Sequence, residues 1–416
     1  MPLLALGGCA LIPEARWRAM QAEVAPETAD SADPGDGLRT DALRALTGDG
    51  QRGLGAQVAL LDTRAGPWAA ASSEDGVLIL DAGSGEARAS LSPEGVVGAL
   101  AGADGLLLVG MAQAGGGTGA ATLSCPAETA PYTGRCLEDQ VTLWGAPGGA
   151  GALGSGVAAF GAGNEGWALL GASGADRAWL VSLPLPEDSD GQAIAAVTEG
   201  ALSADDEGQA GAAVALGDVD GDGVADLLIG APLAGRVDLV LGGGVAERAL
   251  EDADLRCSSE ASMTRLGVGL AAADVDGDGR ADWAVSATRG GTARVVLGAA
   301  PEQSAATIEQ IAWMTLEADA ETSVGGPVAL LAEPGAGWLA VAADQVSAAG
   351  EALAWIYPTG PGAAGSGRGV LLEGAPSSTS APSLAARDGV GLALGLPGWG
   401  AGGGAWIAAS ELLLGP

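Results

Sequence analysis

The sequence predicts an all-β fold, a β-propeller of seven blades, and three observations carry that prediction. Short apolar runs recur seven times along 416 residues, glycine is abundant at 72 residues, and aromatic residues make up only 3%. A hydrophobic fraction of 48% argues against a disordered chain, because that much apolar surface is enough to offset the entropy of ordering. With so few aromatics the core must come from small and aliphatic side chains, in many short elements joined by tight turns.

The repeat is carried by PWAAASS at Pro67, GLLLVGM at Gly105, GWALLGAS at Gly166, ADLLIGAP at Ala225, ADWAVSAT at Ala281, GWLAVAAD at Gly337 and GLALGLPG at Gly391. After a first interval of 38 residues the spacing stays between 54 and 61. A second β-like run follows each copy: GVLILDA, VTLWGAP, RAWLVSL, RVDLVLG, ARVVLGA, LAWIYPT and GAWIAAS. A third precedes it, as in GAAVALGD and VGLAAAD. Three or four short strands per unit of about 55 residues, separated by Gly-rich turns, is the sequence form of propeller blades. One blade cannot bury both its faces, so neighbours must stack and the ring must close to hide its edges. Ala, Gly and Val suit that geometry, because strands near the axis approach closely. Six or eight blades also satisfy the spacing, since a long insertion separates the runs of the second unit. LRTDALRAL near Leu38 and ELLLGP at the C-terminus each offer a closing outer strand.

Two copies are preceded by dense acidic loops. The first is Asp218-Val-Asp220-Gly-Asp222-Gly223-Val224-Ala-Asp226, and the second is Asp274-Val-Asp276-Gly-Asp278-Gly279-Arg280-Ala-Asp282. Carboxylates at positions 1, 3, 5 and 9, with a glycine at 6 that permits a sharp turn, converge on one point and offer oxygens to a hard cation. Without one their mutual repulsion is a standing cost. Calcium accepts 6 to 8 oxygens in flexible geometry, so four aspartates, the position-7 carbonyl of Val224 or Arg280 and a water make a suitable shell, whereas magnesium is less suited to such a cage. An EF-hand needs a bidentate Glu at position 12, but Ile229 and Val285 stand there.

DVDGDGVADLLIGAP and DVDGDGRADWAVSA resemble FG-GAP repeats, the blades of the integrin α-subunit propeller. The resemblance is specific over the two loops and degenerate over the other five units, and it covers roughly residues 50 to 416. It implies a seven-bladed propeller with calcium in loops between two strands of a blade, and partners met on the opposite face. The implied ligands are the eight aspartates, with Val224 and Arg280 through their carbonyls, giving two calcium sites. In other blades Trp68, Trp167 and Trp338 fall where Asp226 stands. An indole there is expected to replace the ion with buried area.

The first ten residues, MPLLALGGCA, resemble the lipobox of bacterial lipoproteins, in which the cysteine, here Cys9, is acylated. The match departs from that pattern in lacking an Arg or Lys before the apolar run, which is also shorter than the ~7 to 15 residues of an ordinary signal core. Residues 1–9 are read as this signal, 10–49 as a tether that includes IPEARWRAMQAEV as a short helix, and 50–416 as the propeller. Cys125 and Cys136 flank a polar loop, PAETAPYTGR, that a local disulfide would close in an oxidising compartment. Two unpaired small apolar residues is the other reading.

Composition narrows function by exclusion. A formal charge of −34 makes nucleic acid and anionic lipid poor partners. With no His and no Lys, the chain has no Ser-His-Asp or Cys-His dyad, no Schiff-base lysine and no phosphate-loop lysine. These features favour a monomeric, extracytoplasmic binding, adhesion or scaffold module, held to the bacterial envelope only by its lipid or secreted, with a protein or glycan partner. The Gly-rich excursion from Ala112 to Asp139 is a candidate contact loop. The alternative is a hydrolase or lyase working through carboxylates or metal-bound water.

Overall fold

The computed structural model describes residues 38–39, 44–46 and most of 52–409; it leaves out 1–37, 40–43, 47–51, 125–139, 146–150, 243–246, 261–264, 318–323, 344–351, 360–367, 372–381, 398–403, 410–416 and a few shorter pieces. Seven sheets follow one another along the chain, each with four antiparallel strands, and three of them gain a parallel fifth strand at the edge. Blade 1 spans Val58 to Leu91, blade 2 Ala99 to Trp144, blade 3 Leu153 to Ser203 and blade 4 Ala213 to Ser258; blades 5, 6 and 7 begin at Leu266, Val324 and Ser383. The first strand of each blade packs against the first strand of the next, and that of blade 7 returns to that of blade 1. The seven first strands therefore line the axis. Among the described residues no helix is long and apolar enough to cross a membrane.

Blade 7 takes its fourth strand from the start of the chain. Arg44–Leu46 pairs antiparallel with Gly404–Ala409, opposite Ile407, Trp406 and Ala405. Of the two closing segments offered by the sequence, LRTDALRAL is the one used, and ELLLGP lies outside the described residues. Leu38–Arg39 adds a further parallel strand to blade 6. The segment read as a tether thus contributes strands before residue 50. Polar contacts also fasten this seam: the Ser383 hydroxyl donates to the Gly55 carbonyl at 3.0 Å, and Arg387 donates to Asp62 of blade 1 and to Asp104 beyond the first strand of blade 2.

All seven recurring apolar runs are second strands. The third strands match the second set of runs, with one correction. In blade 2 the third strand is Ala120–Ser124, and the VTLWGAP run supplies the fourth, Val141–Trp144. AATLS is short and follows a cluster of glycines, so its pattern is overshadowed by the more hydrophobic run downstream. The excursion from Ala112 to Asp139 is accordingly part blade, and the stretch that holds Cys125 and Cys136 is outside the described residues.

Apolar side chains collect between blades rather than at a single centre. Leu169, Leu202 and Ile229 join blade 3 to blade 4, while Val237, Leu239 and Trp283 join blade 4 to blade 5. The glycine content follows from the same stacking. Gly171, next to last in the second strand of blade 3, faces Gly211 of the next blade so closely that a methyl group on it would lie 1.9 Å from the Gly211 carbonyl oxygen. Gly211 itself has φ +87°, a left-handed conformation that a side chain would strain. Gly110 on Gly154 and Gly230 on Gly267 repeat this approach between other blades.

Candidate metal centre

Blade 4 begins with the hairpin Ala213–Gly217 and Asp226–Ala231, and blade 5 with Leu266–Ala273 and Asp282–Ala287. Each aspartate loop is the connection between those strands, so rigid antiparallel pairing holds its two ends: Gly217 faces Asp226, and Ala273 faces Asp282.

Inside the first loop Asp218 organises the backbone. Its Oδ1 accepts from the N–H groups of Gly221 and Asp222 at 2.8 and 3.0 Å, and its Oδ2 from Gly223 at 2.9 Å. Asp220 accepts from the N–H of Asp222 and Asp222 from that of Val224. Gly221 and Gly223 have φ +80° and +87°, which let the chain curl around the carboxylates. The second loop repeats the pattern, with Asp274 accepting from Gly277, Asp278 and Gly279, Asp276 from Asp278, and Asp278 from Arg280.

Asp226 and Asp282 differ from the rest in being fully buried. Asp226 accepts from the N–H groups of Val219 and Asp220 through Oδ2 and from Gly242 through Oδ1. Asp282 accepts from Val275 and Gly298 in the same way. Each pins the start of its loop to the end of the third strand of its blade. Burial outweighs these bonds, pushing the Asp226 carboxyl up to about 6 and Asp282 up to about 7.

Carboxylate oxygens of Asp218, Asp220 and Asp222 lie within 4.8 Å of one another, as do those of Asp274, Asp276 and Asp282. The two trios together use positions 1, 3, 5 and 9. All-oxygen donors at this spacing suit a hard divalent cation rather than a soft one. Val224 and Arg280 enter the loops through their N–H groups, and their carbonyls as ligands remain an implication of the motif.

The tryptophans occupy the position expected of them. Asp226, Asp282, Trp68, Trp167 and Trp338 each stand five residues before the end of their second strand, at Ala231, Ala287, Ser73, Ala172 and Ala343. Trp68 is buried, whereas Trp167 and Trp338 are half-buried against apolar clusters. The Nε1 groups of Trp68 and Trp338 are buried with no hydrogen-bond partner, so at these two positions the indole contributes area and no polar contact.

A charged network outside the aspartate motifs lies on the blade 3 side of blade 4. Buried Arg236 donates through Nε to buried Asp238 at 2.7 Å and through Nη1 to Asp206, and Arg256 donates to Asp238 at 3.2 Å. Alternation along RVDLV could have flagged it, since Arg236 and Asp238 share a face two residues apart.

Comparison with known proteins agrees with this architecture. Residues 210–246 match the FG-GAP repeat family model. No curated protein matches the sequence. The crystal structure of selenomethionine-substituted virginiamycin B lyase from Staphylococcus aureus is similar at a TM-score of 0.53 and 8% identity, covering 88% of this chain and 97% of that one. At that identity the likeness is one of fold alone. The chain is a seven-bladed β-propeller whose fourth blade contains a segment that matches the FG-GAP repeat model.

Proposed function

We propose that the propeller is a calcium-stabilised binding or scaffold module, displayed outside the cytoplasm on a lipid attached to Cys9, and that it meets a protein or glycan partner without catalysing a reaction on it. The observation that carries the metal part is the pair of aspartate trios in adjacent blades, each converging at the mouth of a rigid hairpin. Calcium would supply two positive charges to each cluster and offset part of the repulsion among its carboxylates. Asp218, Asp220, Asp222 and Asp226 would hold it in blade 4, and Asp274, Asp276, Asp278 and Asp282 in blade 5.

The partner reading rests on the opposite face. Strand direction alternates, so loops between second and third strands and between blades lie at the far end from the aspartate loops. Val96 and Leu233 are in such loops, and at 79% and 53% exposure they are the exposed large apolar side chains among the described residues. A calorimetric titration of chelator-stripped protein should count two calcium equivalents per chain, and beads carrying the loaded protein should retain an envelope protein or glycan saturably. Absence of calcium uptake would remove the metal part, and retention of nothing the partner part.

The raised carboxyls set a pH dependence. Asp226 and Asp282 titrate near 6 and 7 in the folded chain, against an ordinary value of 3.8, so the folded calcium-free protein holds protons that the unfolded chain releases. Their contribution is fully present below about 3.8 and is lost as pH rises through about 6 to 7. A cation must displace those protons. The rise in melting temperature on adding calcium is therefore expected to be larger at about pH 8 than at about pH 5, as scanning calorimetry would measure; an equal rise at both would contradict the assignment.

A further inference from the structure

The two aspartate loops touch. The backbone N–H of Ala281, position 8 of the second loop, donates to the backbone carbonyl of Asp218, position 1 of the first, at 2.6 Å. Gly217, just before the first loop, is packed so tightly here that a methyl group on it would lie 2.7 Å from the Ala281 side chain. Gly298, whose N–H holds Asp282, leaves room for a methyl only 2.6 Å from the Ala281 carbonyl and 3.0 Å from that of Val219. The Arg280 side chain reaches back across the first loop, where a methyl on Gly221 would come within 3.0 Å of its Cγ and 3.1 Å of its Nε.

The connecting group is one peptide unit. The N–H of Ala281 and the carbonyl of Arg280, the position-7 oxygen of the second loop, belong to the same planar trans amide and point to opposite sides of it. Drawing electron density through that carbonyl makes the N–H a stronger donor, as in polarised hydrogen-bond chains. The bond it strengthens fixes Asp218, whose carboxylate in turn accepts three N–H groups of the first loop.

Resting on the calcium reading above, we propose that the two loops form one coupled pair of cation sites, in which filling the blade 5 loop pre-organises the blade 4 loop through the Arg280–Ala281 peptide. The coupling is reciprocal, because linkage requires each site to change the other's affinity by the same factor. The pair is also asymmetric. Arg280 places its positive side chain beside the first loop, whereas the second loop meets Gly337 of blade 6, with the Val275 carbonyl only 2.2 Å from where a Gly337 methyl would sit.

Calcium titration of three full-length proteins tests this: wild type, Asp276→Asn and Asp220→Asn, with unchanged circular dichroism confirming that each is folded and Asp278→Asn replacing Asp276→Asn if that variant is not. Each variant is expected to keep one equivalent, bound at least about fivefold more weakly than the corresponding wild-type step, the lower end of typical coupling. A remaining site with its wild-type constant, or a tighter one, would overturn the coupling while leaving the calcium sites standing. No uptake by wild type would overturn both. Arg280→Ala keeps the peptide and is expected to retain two equivalents while tightening the first site; an unchanged constant there would overturn the role of its charge.

Discussion

Stripping calcium from the full chain should lower its melting temperature by roughly 10 °C, and adding it back should restore the loss. A ligand that binds only the folded state adds ~2.7 kcal/mol at a hundred times its dissociation constant, and two sites about double that. For a chain of this size each kcal/mol moves the midpoint by roughly 2 °C. The loops give the ion leverage because they close the first hairpins of blades 4 and 5, whose first strands line the axis. Magnesium, which demands a tighter octahedral shell, should do much less. Asp220→Asn combined with Asp276→Asn should abolish the response while leaving a folded protein. Coincident melts for stripped and loaded wild type would sink the account, and the aspartates would then be only turn formers.

Backbone N–H groups of those loops already satisfy much of the acceptor capacity of the aspartates. Asp218 alone accepts three backbone N–H groups, and such bonds are what Asp offers in any tight turn. What exceeds a turn is the gathering of three carboxylates within 4.8 Å in both loops. That gathering was legible from spacing, as were the second strands, because both are local patterns. The third strand of blade 2 was not, since Ala120–Ser124 has neither length nor strong periodicity and is defined by pairing with Leu106–Met111. The closing strand was ambiguous for a related reason: Arg44–Leu46 is only three residues, and nothing local says that it belongs beside a strand more than 350 residues away. Contacts between blades were the least legible. Neither the bond from Ala281 to Asp218 nor the approach of Gly171 to Gly211 has any signature within its own repeat.

The same holds for the second large effect, at the buried charges between blades 3 and 4. Asp238→Ala is expected to cost about 3 to 5 kcal/mol, because it leaves the Arg236 guanidinium buried with Asp206 as its remaining carboxylate. Burial already disfavours the ionised Asp238, pushing its carboxyl up, and Arg236 and then Arg256 oppose that shift. Arg236 is only partly compensated even now, since its Nη2 is buried with no partner. A paired replacement, Arg236→Met with Asp238→Leu, removes both charges and their desolvation together. It should be close to neutral, because well-packed apolar residues often do as well as a buried ion pair. Urea unfolding midpoints of the single and the double variant separate the two explanations of this site. A large loss in the single and little in the double means that the network chiefly keeps its own charges compensated; equal losses would mean that its shape, not its charge, holds blade 3 against blade 4.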